Sequence, residues 1–187
     1  MQTLWGGAMI KIRPFEPEDV PGFFAAVRDS VEALGRWMPW CHANYSIDEA
    51  NSWLATCQAA WAQGTSYPFL IVQPDSNEVI GSVDINQINQ DHNFGNIGYW
   101  VSSVHTGQGI ATTAVRLVTH FGFNEIGFTR LEIVAEINNI ASHRVAVKAG
   151  AKFECVARNR LVGWGESRDA AVYSLVPADL VGQQPQG

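Results

Sequence analysis

The sequence predicts a mixed α+β fold with a mostly antiparallel sheet flanked by helices. Short apolar runs with strand-like alternation recur along the 187 residues, and segments with apolar residues at helical spacing separate them. Polar turns join several of the strand candidates, which is typical of antiparallel pairing. Apolar residues make up 47% of the chain, enough for one sizeable core, so we expect a single domain.

The N-terminal half is predicted to contain three strands and two helices. The first helix opens at Pro17. The second opens at Ser46, which forms a capping-box pattern with Glu49 three residues later, and runs through Ala62. The strands are rich in β-branched and aromatic residues and are expected near Ile10–Arg13, Tyr67–Val72 and Val79–Asn86.

The C-terminal half is predicted to contain four strands and two helices. The helices are expected at Thr112–Phe123 and Ile140–Ala149, and Gly150 is placed to cap the second one. A turn within residues 163–167 joins the last two strands as a hairpin. The strands are expected near Gly95–Val101, Arg130–Ala135, Phe153–Leu161 and Ala170–Val176.

Composition and charge exclude several functional classes. A net charge of -6 and a pI of about 5.3 argue against a nucleic-acid-binding protein. No apolar run approaches the ~18 residues of a membrane span, and residues 1–8 lack the features of a signal peptide. The histidines are scattered, so no metal site is expected. The cysteines lack CxxC spacing, which favours reduced thiols in a cytoplasmic protein: Cys41, Cys57 and Cys155.

A glycine loop, His105-Thr106-Gly107-Gln108-Gly109-Ile110-Ala111, connects a short strand to a helix. A helix N-terminus offers unpaired N–H groups and a positive dipole end, and the glycines let a ligand approach them. The loop lacks the Lys-Ser/Thr of a P-loop and the third glycine of a dinucleotide fingerprint. The remaining alternatives are a different phosphate-bearing ligand and a plain tight turn between strand and helix.

A second motif follows about forty residues later, Asn139-x-x-Ser142-x-x-Val145-x-x-Lys148-x-Gly150. Together with Tyr99-Trp100 and the glycine loop, it resembles the acyl-CoA site of the GNAT N-acetyltransferase superfamily. The segment Trp37-Met38-Pro39-Trp40 is similar to the branch of ribosomal-protein-alanine and -serine N-acetyltransferases. The resemblance implies a GNAT fold with a splayed central strand pair and acetyl-CoA as co-substrate, without a metal. We expect the domain to cover residues 9–180, with residues 1–8 and 181–187 as flexible termini.

The resemblance also implies which residues hold the cofactor. The strand before the loop would grip the pantetheine arm, the loop would bind the pyrophosphate, and the second motif would lie beside the arm and the sulfur. The residues are Trp100, Val101, Ser102, Gly107, Gln108, Gly109, Ile110, Ala111, Thr112, Asn139 and Ser142. Many members of the family reprotonate the CoA thiolate with a tyrosine, but Ala146 stands at that position. We therefore expect no tyrosine there and Ser142 as the hydroxyl donor.

Two of these residues have simpler explanations. Asn139 has the residue type and position of a helix N-cap, and this role is compatible with contact to the cofactor. Ser142 has the position of an exposed serine in the first turn of the same helix.

The general base and the acceptor pocket are the least defined parts of the predicted site. Many relatives carry Glu directly before Ile-Gly-Tyr, whereas this chain has Asn96, which cannot act as a base. We expect Asp84 on the preceding strand to take that role, with an ordered water, Glu136 or Asp91 as alternatives. The acceptor would bind in an aromatic slot beside the base, unless these rings are simply core: Trp37, Trp40 and Tyr45, together with Asp84.

The predicted reaction transfers an acetyl group from acetyl-CoA to a primary amine by direct attack in a ternary complex. A protein or peptide N-terminal α-amine is the preferred acceptor. Acetylation of a small amine, such as a polyamine, amino acid or antibiotic, is the alternative within enzymes. A CoA-binding sensor without catalysis is the alternative outside them. The C-terminal strands offer an edge for homodimer formation, whereas no nucleic-acid or membrane partner is expected.

Overall fold

An eight-stranded sheet forms the centre of the molecule, which we describe from a computed structural model covering residues 3–7 and 9–180. The spatial order of the strands is β1-β2-β3-β4-β5-β6-β8-β7, and every neighbouring pair is antiparallel except β5 and β6. The mixed α+β fold class is therefore confirmed. The strands are β1 (Leu4–Gly6), β2 (Ile10–Arg13), β3 (Tyr67–Val72), β4 (Val79–Asn89), β5 (Phe94–Val101), β6 (Arg130–Glu136), β7 (Lys152–Gly163) and β8 (Glu166–Leu175).

Helices cover both faces of this sheet. They are α1 (Val20–Arg28), α2 (Val31–Leu34), α3 (Ile47–Gln63), α4 (Ile110–Phe121) and α5 (Ile140–Ala149). Alternation along β3 shows that the sheet separates two cores. Phe69 and Ile71 pack in the core that holds α4 and α5, while Leu70 and Val72 pack in the core that holds α1 and α3. Because helices cover both faces of the sheet, apolar residues follow one another along β3 without alternating with polar ones.

The parallel pair β5 and β6 separates after three residues. Phe94–Asn96 pair with Arg130–Glu132, and the remainder of β5 pairs with β4 alone among the described residues. The edge of β5 that faces β6 is thus left open from Ile97 onwards. This is the splayed strand pair that the family resemblance implies, and it places a gap in the sheet directly before the glycine loop.

Local sequence signals explain where the main helices begin and end. Ser46 and Glu49 form the expected capping box, with the Ser46 hydroxyl accepting from the Glu49 N–H and the Glu49 carboxylate accepting from the Ser46 N–H. Gly150 ends α5 with a positive φ of 97°, as predicted. Helix α4 begins at Ile110, two residues earlier than predicted, because Gly109 already serves as its N-cap.

Residues 4–6 lie within the segment that the sequence predicts to be a flexible terminus, and its flexibility stays a prediction. They form β1, which pairs with β2 in a register that places Leu4 opposite Ile12 and Gly6 opposite Ile10. Gly6 lies close to α4, where an added Cβ would come within 2.7 Å of a Thr113 methyl carbon. Residues 1, 2, 8 and 181–187 lie outside the described part of the chain.

The structure adds two features beyond the sequence prediction. The short helix α2 was not anticipated, and the final hairpin is longer than expected. Its two-residue turn, Trp164-Gly165, has positive φ at both positions, as a tight hairpin turn requires. The three cysteines are free thiols. No helix within residues 3–7 and 9–180 has the length and apolarity to cross a membrane.

Candidate active site

The glycine loop presents an open backbone surface at the start of α4. Gly107 and Gly109 have φ values of 78° and 82°, a conformation that side-chain-bearing residues rarely adopt. A Cβ added at either position would meet no heavy atom within 4 Å. Gly109 supplies no side-chain cap, so the first N–H groups of α4 remain available to an external acceptor. This arrangement fits the pyrophosphate of an acyl-CoA, with the helix dipole adding to the attraction.

Three residues at and just after the end of β5, Trp100, Val101 and Ser102, lie in different environments. Val101 is half-buried and lies at the open edge of the strand. The Trp100 side chain is buried among the aromatic rings on the α1 and α3 side, with its ring 5.7 Å from that of Phe23. The Ser102 N–H donates to the carbonyl oxygen of Ile80 at 2.8 Å. Ser102 therefore extends the pairing with β4 through its N–H, and its contact with the pantetheine arm stays a prediction.

The second motif spans α5 from its N-cap, Asn139, to its C-cap, Gly150. The side-chain oxygen of Asn139 accepts from the Ser142 N–H at 3.1 Å, so Asn139 is the N-cap of this helix. Its amide nitrogen remains for any contact with a cofactor. Ser142 is half-buried rather than fully exposed.

A tyrosine reaches Ser142 from an unexpected direction. The Tyr99 hydroxyl on β5 lies 2.7 Å from Ser142 Oγ and 3.1 Å from the Ser142 carbonyl oxygen. Burial raises the pKa of Tyr99 to about 12, so it stays protonated at neutral pH. No tyrosine stands at the position of Ala146, which is a fully buried core residue, and the hydroxyl beside Ser142 comes instead from Tyr99. Strand alternation indicated which face of the sheet Tyr99 occupies, but not that α5 would begin beside it.

A cleft of about 780 Å³ lies on the face of β4 and β5 that is covered by α1, α3 and the segment between α2 and α3. Of the predicted acceptor residues, Trp40, Tyr45 and Asp84 line it. Trp37 does not belong to the lining, and its exposed fraction is 37%. The apolar and aromatic part of the lining comprises Phe23, Met38, Pro39, Trp40, Tyr45, Trp53, Tyr99 and Trp100.

Asp84 is a carboxylate within this aromatic cleft. It lies opposite Gly98 in the β4–β5 register, and a Cβ on Gly98 would come within 2.5 Å of Asp84 Oδ1. The carboxylate therefore uses space that only glycine leaves open. Asn86 Nδ2 donates to Asp84 Oδ2 at 2.9 Å. Burial raises the pKa of Asp84 to about 6, although hydrogen bonds from Asn86 and the Gly98 backbone favour the ionised form.

The other candidate bases are less suited to this role. Glu136 is held by Arg168, whose Nη1 donates to its carboxylate at 2.8 Å. Asp91 is exposed in the turn between β4 and β5 and does not line the cleft. A carboxyl group with a pKa near 6 is mostly ionised at neutral pH and can still accept a proton, so Asp84 has the properties of a general base.

The charge of the cleft is negative. Asp84 and Glu49 both line it, and the lining includes neither Lys nor Arg. His42 lies 3.0 Å from Glu49 and is the remaining residue of the lining that can carry a positive charge. A site of this kind attracts a protonated amine and disfavours anionic acceptors.

Comparison with known proteins agrees with this geometry. Residues 10–152 match the GNAT acetyltransferase domain family. The chain is 30% identical over 131 residues to the uncharacterised N-acetyltransferase YoaA of Bacillus subtilis, an alignment that covers 70% of this chain and 74% of YoaA.

Two solved structures share the fold over almost their whole length. One is a Vibrio cholerae protein assigned as a ribosomal-protein-serine acetyltransferase, with 26% identity and a TM-score of 0.82 over 94% of this chain and 98% of that protein. The other is RimL, a ribosomal L7/L12 alpha-N-protein acetyltransferase in complex with coenzyme A, with 20% identity and a TM-score of 0.85 over 94% and 98%. The chain belongs to the GNAT family and is an acetyl-CoA-dependent N-acetyltransferase.

Proposed function

We propose that this enzyme acetylates the N-terminal α-amine of a protein or peptide. The observation that carries the proposal is the Asp84 carboxylate in an aromatic, negatively charged cleft whose mouth is open. Trp40 and Trp53 line the cleft and are 41% and 37% exposed, so the cleft is accessible from solvent. A chain terminus can enter such a cleft while the rest of its protein stays outside, and its ammonium group matches the charge of the lining.

The reaction follows from the placement of these groups. Asp84 takes a proton from the ammonium group, and the neutral amine attacks the thioester carbonyl carbon. The C–N bond forms and the C–S bond breaks. The nitrogen of the tetrahedral intermediate gives up its second proton, which passes through Ser142 or water to the departing CoA thiolate, and Asp84 releases its own proton to solvent. A backbone N–H near Val101 is the expected donor to the oxyanion. Positioning of the two substrates supplies most of the rate gain in such a ternary complex.

The relatives support a protein acceptor. The Vibrio cholerae protein is named for a ribosomal protein, and RimL is named for the α-amine of ribosomal protein L7/L12. An accessible cleft is consistent with an acceptor of this size. The proposed acceptor class is therefore the N-terminal amine of a polypeptide, with a ribosomal protein as the leading candidate.

Steady-state release of CoA thiol over a panel of acceptors tests the proposal. The panel contains lysine-free peptides with free N-termini, the same peptides with blocked N-termini, polyamines, amino acids and aminoglycosides. We expect the free peptides to have the highest kcat/KM and the blocked peptides to be inactive. Higher kcat/KM for a small amine would replace the proposal with small-amine acetylation. CoA binding without turnover on any acceptor would replace it with a sensor.

A matched pair of variants tests the role of the cleft. Trp40→Ala removes an aromatic wall of the cleft, whereas Trp5→Ala removes a tryptophan that is 59% exposed on β1 at the edge of the sheet. We expect the first variant to raise KM for the peptide without changing KM for acetyl-CoA, and the second to leave both unchanged. Equal peptide KM values in the two variants would contradict binding of the acceptor in this cleft.

A further inference from the structure

We propose that Asn86 and Asn96 are positioning residues that form a two-amide relay holding the Asp84 carboxylate toward the acceptor. The inference rests on the role of Asp84 in the proposed function and extends it to side chains with no assigned role. The relay crosses from β5 to β4, because Asn96 and Asn86 are opposite each other in the register of these strands. Asp84 and Asn86 are two residues apart on β4 and therefore share the cleft face of the sheet.

Hydrogen-bonding capacity determines the direction of the relay. An ionised carboxylate only accepts, so Asn86 must turn its NH₂ group toward Asp84, and this contact measures 2.9 Å between Nδ2 and Oδ2. The Asn86 oxygen then points toward β5 and needs a donor. Asn96 supplies it, with its Nδ2 lying 2.9 Å from Asn86 Oδ1. The orientation of both amides thus follows from the charge of Asp84.

This orientation leaves a polar atom unpaired at the β5 end of the relay. The Asn96 oxygen is buried and has no hydrogen-bond partner among the described residues. Buried polar atoms are rarely left unpaired, and such atoms often mark a functional constraint. A reversed Asn96 amide would present its oxygen to the oxygen of Asn86 and break the relay. The unpaired oxygen is therefore the consequence of directing a donor toward Asn86.

Gly98 completes the arrangement from the neighbouring strand. A Cβ at this position would lie 2.5 Å from Asp84 Oδ1 and 2.9 Å from Asn86 Nδ2. The absence of a side chain lets the carboxylate and the amide lie against the backbone of β5. Two amide side chains and one glycine thus restrict Asp84 to one orientation.

Few other groups facing Asp84 change charge near neutral pH. Burial raises the pKa of Cys57 on α3 and of Tyr45 to about 12, as it does for Tyr99. Hydrogen bonds from Ser46 lower the pKa of Glu49, which is therefore ionised. His42 is the imidazole of the lining, and a His42→Gln variant is the background in which Asp84 is followed.

Titration of the Asp84 carboxyl carbon by NMR, with the pH profile of kcat/KM beside it, tests the relay. A hydrogen bond to a charged group favours the ionised form, so its loss in Asn86→Ala should raise the midpoint by about one pH unit. The acid limb of kcat/KM should move by the same amount. In Asn86→Ala, kcat/KM should therefore fall by up to about tenfold at pH 5.5 and stay close to the wild-type value at pH 8.5.

Two further variants complete the experiment. Asn96→Ala removes the unpaired oxygen along with the donor, so it should fold, and it should shift the midpoint in the same direction by less. Gln90→Ala removes an exposed amide from the turn after β4 and should shift nothing. Unchanged midpoints in Asn86→Ala and Asn96→Ala would overturn the relay. Because the NMR titration needs no acceptor, it still reports on the relay if every peptide in the panel proves inactive.

Discussion

The Tyr99 hydroxyl lies 2.7 Å from Ser142 Oγ and links β5 to the first turn of α5 across the gap where β5 and β6 separate. Tyr99 has one proton to donate, either to the hydroxyl or to the carbonyl oxygen of Ser142. When it donates to the hydroxyl, the Ser142 proton is free to turn toward a departing thiolate. We infer that Tyr99 orients Ser142, and with a pKa raised to about 12 it stays in the donating form well above neutral pH.

Tyr99→Phe should therefore lower kcat about fivefold to tenfold, the value of one hydrogen bond, while KM for acetyl-CoA changes little. Ser142→Ala should lower kcat at least as much, and the double variant should lose less than the product of the two single losses because both act through one contact. Tyr67→Phe, which removes a hydroxyl from an aromatic cluster beside Trp61, serves as the control. A fully multiplicative double variant would contradict the coupling.

Asp84→Asn should change activity and stability in opposite directions. The loss of a base predicts a fall in kcat/KM of about 10²-fold or more. The pKa of Asp84 is about 6 in the folded protein and near 4 in the unfolded chain. Between these values the folded state binds more protons, so the stability contributed by this group falls as pH rises from 4 to 6. The neutral Asn variant avoids this loss and should be more stable at pH 7, by ~3 kcal/mol.

Calorimetric unfolding at pH 4 and pH 7 measures this second effect. The melting temperature of Asp84→Asn should exceed that of the wild type by a few degrees at pH 7, and the difference should shrink at pH 4. Asp91→Asn, an exposed carboxylate in the turn after β4, should show neither effect. Wild-type activity in Asp84→Asn would exclude Asp84 as the base, and an equal stability difference at both pH values would exclude the burial of its charge as the cause.

Gly109→Ala should weaken CoA binding more than it weakens the fold. The left-handed backbone at this position makes alanine unfavourable by ~1 kcal/mol, but the added Cβ meets no protein atom. We expect the dissociation constant for CoA, measured by titration calorimetry, to rise about tenfold or more, because the methyl group projects into the loop proposed to hold the pyrophosphate.

Gly165→Ala provides the matched control for this substitution. Gly165 has a φ of 80° in the β7–β8 turn, and its added Cβ also meets nothing within 4 Å. The two variants should lose similar stability, while only Gly109→Ala should lose affinity for CoA. Equal CoA affinities in the two variants would show that the loop does not contact the ligand.

The sequence was sufficient wherever the signal is local. The capping box of Ser46 and Glu49, the C-cap at Gly150 and the open loop at Gly107 and Gly109 depend on residues within a few positions of one another. The resemblance of the loop and the Asn139 motif indicated the family and the splayed strand pair for the same reason, since each motif is a short contiguous pattern. The short strand at Leu4–Gly6 escaped prediction because its stability comes from pairing with β2.

The sequence by itself determined the fold class, the family and therefore the use of acetyl-CoA. Only the tertiary structure decided which side chains meet in the site. It brought Tyr99 to Ser142 across 43 residues, placed Asn96 against Asn86 across 10, and left Trp37 outside the cleft that Trp40 lines. The physical reason is that these contacts depend on the register between strands and on where a helix begins in space. The spacing of residues along the chain does not encode the register or that position.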